Sequence, residues 1–365
     1  MPPTQKELAK LAGVSSGTVS NVISGSTKVS ERARQKVLEA IKALNYQPNL
    51  IARSLRTNRT RTLGIVIPDI TIPFFPKLIR GAECAARERG YFLIVLDSEG
   101  SPERESDMIA LLRAQRVEGM LLVTASEELT SERWSAFTSS FPVVCLDRLP
   151  VDLNVDSVCV DDAGAAEMAI SHLIGLGHTQ IAAITGPLTL RNEQERMRGY
   201  RQALHRAALP FQRSLIWSGS FEQEEVEKLC QNGMLRAPAR PSALFATNGV
   251  TGLAALRSLY SVGLSTPKDF AFITFDEITA EDFFRPGITS VVQPTFDMGY
   301  RAVEVLLDRI ENGDSAPREK VRLPATITVR ESSSTPVSIA AGKDPHLRGH
   351  VERLRTGKRA MDSRH

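Results

Sequence analysis

Cysteine is scarce in this chain: four in 365 residues, at Cys84, Cys145, Cys159 and Cys230, with no metal-ligand spacing between them. Of the six histidines, only His346 and His350 stand in H-x-x-x-H spacing, in the polar basic tail with no cysteine near them. A zinc module and a disulfide-stapled scaffold are therefore excluded, and no metal site is expected. Cys145 and Cys159 lie in apolar, strand-like runs, which predicts buried free thiols in a reducing cytosol. Long apolar runs are also missing. Nothing approaches the roughly 18 residues that a membrane span needs, and the N-terminus lacks the apolar core of a secretory signal. We therefore expect a cytoplasmic protein with no membrane partner. Catalytic signatures are missing as well: there is no G-x-S-x-G and no G-x-x-x-x-G-K-S phosphate loop. The acidic pair Asp161-Asp162 reads as a helix N-cap supplied by Asp162. We expect no catalytic residue, no cofactor and no enzyme activity.

What is present is length enough for two or three domains and a marked charge asymmetry. The net +3 of the whole chain divides into +7 over residues 1–60, −8 over 61–333 and +4 over 334–365. A basic head on an acidic body is the electrostatic footprint of a nucleic-acid-binding head.

Within that head, Thr4 to Glu7 has the form of a capping box and starts a first helix, with Leu8 and Leu11 expected inside. Gly13 can take the left-handed conformation that closes this helix, and Ser15 stands where the next helix wants an N-cap. Val19, Val22 and Ile23 give the second helix one apolar face. Its other face carries Ser16, Gly17, Thr18, Ser20 and Asn21, which are small, polar and uncharged. Such a surface can lie against base edges in a major groove. An ordinary helical hairpin with a polar outer face has the same pattern. A third helix follows from Glu31 to about Leu44. Ser30 is its cap, its inner residues are Ala33, Val37, Ala40, Ile41 and Leu44, and Tyr46 folds back on the bundle.

The stretch Ala12 to Val22 closely resembles the A-G-V-S-x-x-T-V-S-x-V signature of the lactose/galactose repressor (LacI/GalR) family, and the family pattern continues from about residue 4 to 333. The resemblance implies that Thr4, Ser15, Ser16, Gly17, Thr18, Ser20 and Asn21 face DNA. It also identifies residues 49–56, with their A-R-S-L core, as similar to the family's hinge helix, which orders as a pair on DNA. Ala52 and Leu55 would then contact the duplex, Leu55 wedging into a minor-groove base step and bending it. The alternative is a tether whose Leu50, Ile51 and Leu55 pack on the body.

From Leu63 onward, apolar strand runs alternate with amphipathic helices, the βαβ rhythm of parallel sheets covered on both faces. About 270 residues of this rhythm are too many for one comfortable sheet. The expected fold is thus a small all-α helix-turn-helix domain joined to an α/β body. The resemblance implies that the body is two-lobed and periplasmic-binding-protein-like, with parallel sheets and three crossovers, near 161, 290 and 322. Residues 1–47 would form the DNA-binding domain, 48–60 the hinge helix and linker, and 61–333 the effector-binding and dimerisation domain. Lobe 1 spans about 61–161 and 290–322; lobe 2 spans about 162–289 and 323–333. Residues 334–365 are polar and basic, lack a leucine repeat for a coiled coil, and read as a disordered tail.

Ligands in such sheets bind beyond the carboxyl ends of the strands. There the chain resembles the family at several points. Phe74 matches the aromatic ring of N-x-P-F-F, with Thr71 in place of Asn. Asp147 and Arg148 match a D-R pair, and Arg196 matches the arginine of R-x-x-G. Asn248, Asp276 and Gln293 close three further strands. An aromatic face with Asn, Asp, Gln and Arg suits vicinal hydroxyls, so the expected effector is a sugar or sugar derivative. Arg196 and Asp276 equally suit salt-bridged groups, and Gln293 suits a structural hydrogen bonder. Gly249 and Thr274 depart from the family's usual Asp and Gly. The function expected is a sequence-specific transcriptional repressor that binds palindromic double-stranded operator DNA as a homodimer under effector control, nucleoid-associated when bound. The alternatives are a cytoplasmic solute-binding protein of the same fold, or a regulator answering to a purine or nucleoside.

Overall fold

The computed structural model describes residues 3–23, 28–46, 59–127, 131–138, 141–150, 153–236, 240–278, 285–313 and 317–334. The hinge positions Ala52 and Leu55 and the tail 335–365 lie outside them. Contacts divide the chain between Arg61 and Thr62 into two compact units.

The first unit is a three-helix bundle: α1 (Gln5–Ala12), α2 (Ser16–Ile23) and α3 (Glu31–Ala43). The capping box is complete, the Glu7 carboxylate accepting the Thr4 N–H at 2.7 Å and the Thr4 hydroxyl accepting the Glu7 N–H at 3.3 Å. Gly13 ends α1 at φ 62°, ψ 39°. Leu8, Val19, Val37 and Tyr46 form the core with Ala9, Ala12, Val22 and Ala40. Leu11 is not part of it. The buried stripe of α1 runs through positions 8, 9 and 12, so Leu11 falls outside and is 55% exposed. Ala33 is only partly buried. Ser30 holds the cap position of α3, but its side chain makes no capping bond.

The second unit contains two six-stranded sheets. In lobe 1 the strands are β1 (Thr62–Ile67), β2 (Phe92–Asp97), β3 (Gly119–Leu122), β4 (Val143–Leu146), β5 (Asp156–Val160) and β11 (Lys320–Leu323). Helices α4 (Phe74–Glu88), α5 (Pro102–Ala114), α6 (Ser131–Thr138) and α11 (Thr295–Asn312) accompany them. The order is β2-β1-β3-β4-β5-β11, with every pairing parallel. Lobe 2 contains β6 (Ile181–Thr185), β7 (Ile216–Ser218), β8 (Ala243–Ala246), β9 (Ala271–Phe275), β10 (Thr289–Val292) and β12 (Thr326–Thr328). Its helices are α7 (Asp162–Gly175), α8 (Arg191–Arg206), α9 (Gln223–Arg236) and α10 (Gly249–Ser261). Its order is β7-β6-β8-β9-β10-β12. The edge strand β12 runs antiparallel to β10, a departure from the all-parallel expectation. No helix among the described residues is long and apolar enough to cross a membrane.

The central strands are continuous Val, Ile, Leu and Ala runs because both faces are covered. Leu63, Ile65, Val66 and Ile67 of β1 are wholly buried. Each such side chain contributes about 1.5–3 kcal/mol. Two helix pairs close over the sheets at glycines. A Cβ on Gly81 (α4) would lie 1.9 Å from the Phe296 carbonyl, and one on Gly299 (α11) would lie 2.0 Å from that of Leu78. In lobe 2 a Cβ on Gly199 (α8) would strike the Ala163 carbonyl of α7 at 2.0 Å. The chain passes between lobes at Asp161, between Val292 and Thr295, and between Leu323 and Thr326. The last two crossings come later than 290 and 322. Residues 290–292 complete β10 in lobe 2, and Leu323 completes β11 in lobe 1.

Candidate functional site

In the helix-turn-helix, Ser15 caps α2, its Oγ accepting the Thr18 N–H at 3.1 Å. Val19 and Val22 face the bundle, which leaves Ser16, Gly17 and Asn21 exposed and Thr18 and Ser20 half-buried. The nearest atom to a Cβ on Gly17 would be Ser15 Oγ at 3.6 Å, so nothing in the fold demands glycine there. Thr4 is exposed at the start of α1.

In the body, Asp147, Arg148, Asn248, Asp276 and Gln293 stand within two residues of the carboxyl ends of strands, Phe74 begins α4, and Arg196 lies in the second turn of α8. It is 3% exposed. Its Nε donates to Asp162 Oδ1 at 2.8 Å and its Nη1 to the Thr247 carbonyl at 2.7 Å. The guanidinium lies 3.8 Å from the centre of the Phe275 ring, a cation–π contact strengthened by burial. Burial works against its charge, yet the carboxylates of Asp162, Asp276, Glu193 and Asp147 outweigh it and hold its pKa above the ordinary value. Asp162 is thus not the helix cap. Asp161 takes that role, its Oδ1 accepting the Gly164 N–H at 3.1 Å, which frees Asp162 to pair with Arg196.

Asn248 has two engagements. Its Oδ1 accepts the Thr251 N–H at 2.9 Å, capping α10, and its Nδ2 donates to Glu193 at 2.9 Å. Glu193 also accepts the Thr247 hydroxyl. Asp276 accepts from Gln293 Nε2 at 2.5 Å. Burial pushes its pKa up, with Asp147 adding and Arg196 opposing. Asp147 and Asp276 each follow the fourth strand of their sheet, and both have positive φ, 57° and 70°. Asp tolerates this region better than most residues, and side chains held there are concentrated at functional sites. Phe74 begins α4, its ring edge-on to Phe75 at 5.2 Å between centroids.

Some polar capacity is unused. Arg148 Nε, Gln293 Oε1 and Glu127 Oε1 are buried with no hydrogen-bond partner among the described residues. Among the described residues, Lys77 Nζ reaches Glu277 at 3.0 Å and the Arg191 N–H reaches Glu127 Oε2 at 2.7 Å, each joining one lobe to the other. A hollow of about 310 Å³ on the outer face of α8, among Arg198, Arg201, Gln202, His205 and Arg206, involves none of these groups.

Residues 4–49 match the profile of bacterial regulatory proteins of the lacI family, and residues 170–333 that of the periplasmic binding protein-like domain. The ribose operon repressor of Escherichia coli (strain K12) is 37% identical over 307 residues, 84% of this chain and 93% of its own. The chain belongs to the LacI family. The HTH-type transcriptional repressor PurR of Mannheimia succiniciproducens is 32% identical over 329 residues, 90% of this chain and 98% of its own. A solved complex of the transcriptional regulator CelR with cellobiose is 33% identical, with a TM-score of 0.66 over 90% of this chain and 99% of that one. A lac repressor dimer bound to operator shares the fold at TM-score 0.78 and 22% identity, covering 92% of this chain and all of that one. These relatives are transcriptional regulators, not enzymes.

Among LacI-family positions, the sequence reading did not single out Glu127, Asp162 or Glu193 as part of the site. Glu193 stands three residues before Arg196, a helical spacing that puts both on one face. Asp162 follows directly on β5, the end at which ligands bind. Glu127 carried no such signal.

Proposed function

We propose that this protein is a ligand-responsive transcriptional repressor. It binds a palindromic operator as a homodimer and responds to a small effector, a sugar or sugar derivative. One observation supports this most. A helix-turn-helix with an uncharged, exposed outer face is joined in one chain to a two-lobed body whose strand ends bring together Arg196, Asp276, Asp147 and Gln293. Each head offers one recognition helix, so a two-fold pair meets an inverted repeat. Thr4, Ser15, Ser16, Gly17, Thr18, Ser20 and Asn21 form the DNA face, joined by Ala52 and Leu55 of the hinge. Phe74, Asp147, Arg148, Arg196, Asn248, Asp276 and Gln293 form the effector site. The relatives fit this reading: one is named for the ribose operon and another is solved with cellobiose. The protein acts in the cytoplasm, at the nucleoid when bound to DNA.

The test is titration with D-ribose, cellobiose and hypoxanthine, with and without an operator selected from random duplexes. Effector and operator affinities are expected to change each other by the same factor, about 5- to 150-fold. No retarded duplex at all would make this a solute-binding protein. Hypoxanthine binding alone would give the effector site to purines.

A further inference from the structure

Helix α8 has no cap of its own. Its N-cap residue is Leu190, which makes no side-chain capping bond; within the first turn Asn192 Oδ1 accepts the Glu193 N–H at 2.8 Å, which leaves the Arg191 N–H in need of another acceptor. That acceptor comes from the opposite lobe. Glu127, five residues beyond the end of β3, is 4% exposed, and its Oε2 accepts the Arg191 N–H at 2.7 Å. A carboxylate at a helix N-terminus is well placed against the helix dipole. The other oxygen, Oε1, is buried without a partner among the described residues. Burial pushes the pKa of Glu127 up to about 7, against the Arg191 N–H and the charge of Arg148, while Asp147 adds to the rise. An acceptor left unused beside a ligand cleft is one that a ligand donor can satisfy.

The surroundings limit what that donor belongs to. Asp147, Asp162, Glu193 and Asp276 all act on Arg196, and the cations that act on Glu127 are Arg148 and Arg191, which makes five carboxylates against three arginines. With carboxylates in excess in a poorly hydrated space, a further anion is strongly disfavoured.

Resting on the reading of the body as an effector domain, we propose that Glu127 is a specificity-determining residue that serves both lobes at once. Its Oε2 latches α8 across the cleft while its Oε1 accepts a hydrogen bond from the effector. The effector is therefore an uncharged donor-bearing molecule, a free polyol and not its phosphate ester.

The experiment is calorimetric titration of the full chain with D-ribose, D-ribose 5-phosphate, cellobiose and hypoxanthine. At pH 8, where Glu127 with its pKa of about 7 is ionised, the wild type is expected to bind a free sugar at least about tenfold more tightly than a phosphate ester, because the ester's charge meets the surrounding carboxylates. Glu127→Gln has one oxygen to serve two donors, and it should lose roughly tenfold for the free sugar. Arg191→Pro removes only the N–H that Glu127 accepts, at a first-turn position that tolerates proline, while Arg191→Ala keeps it. The proline variant should bind the sugar more weakly than the alanine variant, with thermal melts verifying that both are folded. An ester bound as tightly as its sugar, an unchanged sugar affinity in Glu127→Gln, or no binding of any uncharged probe overturns the proposal. If only hypoxanthine binds, the sugar reading fails. A tenfold loss in Glu127→Gln then keeps the assignment of Glu127, and no loss overturns that as well.

Discussion

The two lobes share one plan and use their buried charges in opposite ways. In each, the fourth strand of the sheet ends in an aspartate with positive φ, Asp147 and Asp276. In each, a helix pair closes through glycine. Strand β5 carries a buried aspartate at its start and another just past its end, roughly 20 Å apart at strand rise. Asp156, at the start, is saturated: Arg309 donates at 2.7 Å, Arg318 at 3.1 Å and the Glu319 N–H at 2.8 Å. Asp162, past the end, shares one arginine with three other carboxylates. Charges with complete partners tie the chain together. Charges left crowded and incompletely partnered belong to a surface that awaits another molecule.

The strongest way to break this comparison is to remove each arginine in turn. Arg196→Ala leaves Asp162 and Glu193 buried without their cation and should cost about 3–5 kcal/mol in urea unfolding. Arg309→Ala leaves Asp156 with Arg318 and the Glu319 N–H, and should cost about 1–3 kcal/mol. Equal costs would erase the distinction between the two ends. A second test uses pH. The folded state holds Glu127's proton up to about pH 7, above the unfolded chain's ordinary value, so ionisation favours unfolding. Relative to Glu127→Gln, the wild type should therefore be most stable below pH 4.5 and lose roughly 2–3 kcal/mol as pH rises through 7. A difference that does not vary with pH would remove the buried carboxylate from the account.

The glycines sharpen the comparison further. Gly299→Ala forces α11 off the α4 backbone and should cost about 1–3 kcal/mol. A Cβ at Gly17→Ala meets only Ser15 Oγ, at an ordinary contact distance of 3.6 Å, so the change should add up to about 1 kcal/mol of helix stability while weakening operator binding in a gel shift. The smallest effect belongs to the exposed bridge between lobes. Lys77→Ala should change stability by less than about 1 kcal/mol, and high salt should abolish the difference.

Strand runs and helix periods were legible because burial on both faces writes itself as unbroken apolar stretches, as in Ile181–Thr185 and Ala243–Ala246. The three-residue edges β7 and β12 and the mixed-polarity β11, Lys320–Leu323, carry no such run and were not read. Asp161 and Asp162 show the limit at the site. Either could cap α7, and only the position of Arg196, which arrives from another helix, decides which one does. Leu11 shows it in the head, where one residue of phase turned a leucine outward. Glu127 was invisible because its partner is a backbone N–H 64 residues away.

The crossing between β10 and α11 also decides when each half of the body can be finished during synthesis. Lobe 1 begins first, at Thr62, yet its sheet lacks β11 and its α4 lacks the α11 that Gly81 packs against until residue 323 has been made. Lobe 2 begins a hundred residues later, at Asp162, and once Val292 has been made it lacks only its edge strand β12 and the turn Glu331–Ser333, whose Ser332 hydroxyl bonds the Thr289 N–H and the Phe272 carbonyl. The half that starts second thus has its core available first. Nascent chains halted after residue 292 should protect lobe 2 from protease while lobe 1 is still cut, an inversion of the usual N-terminal-first order.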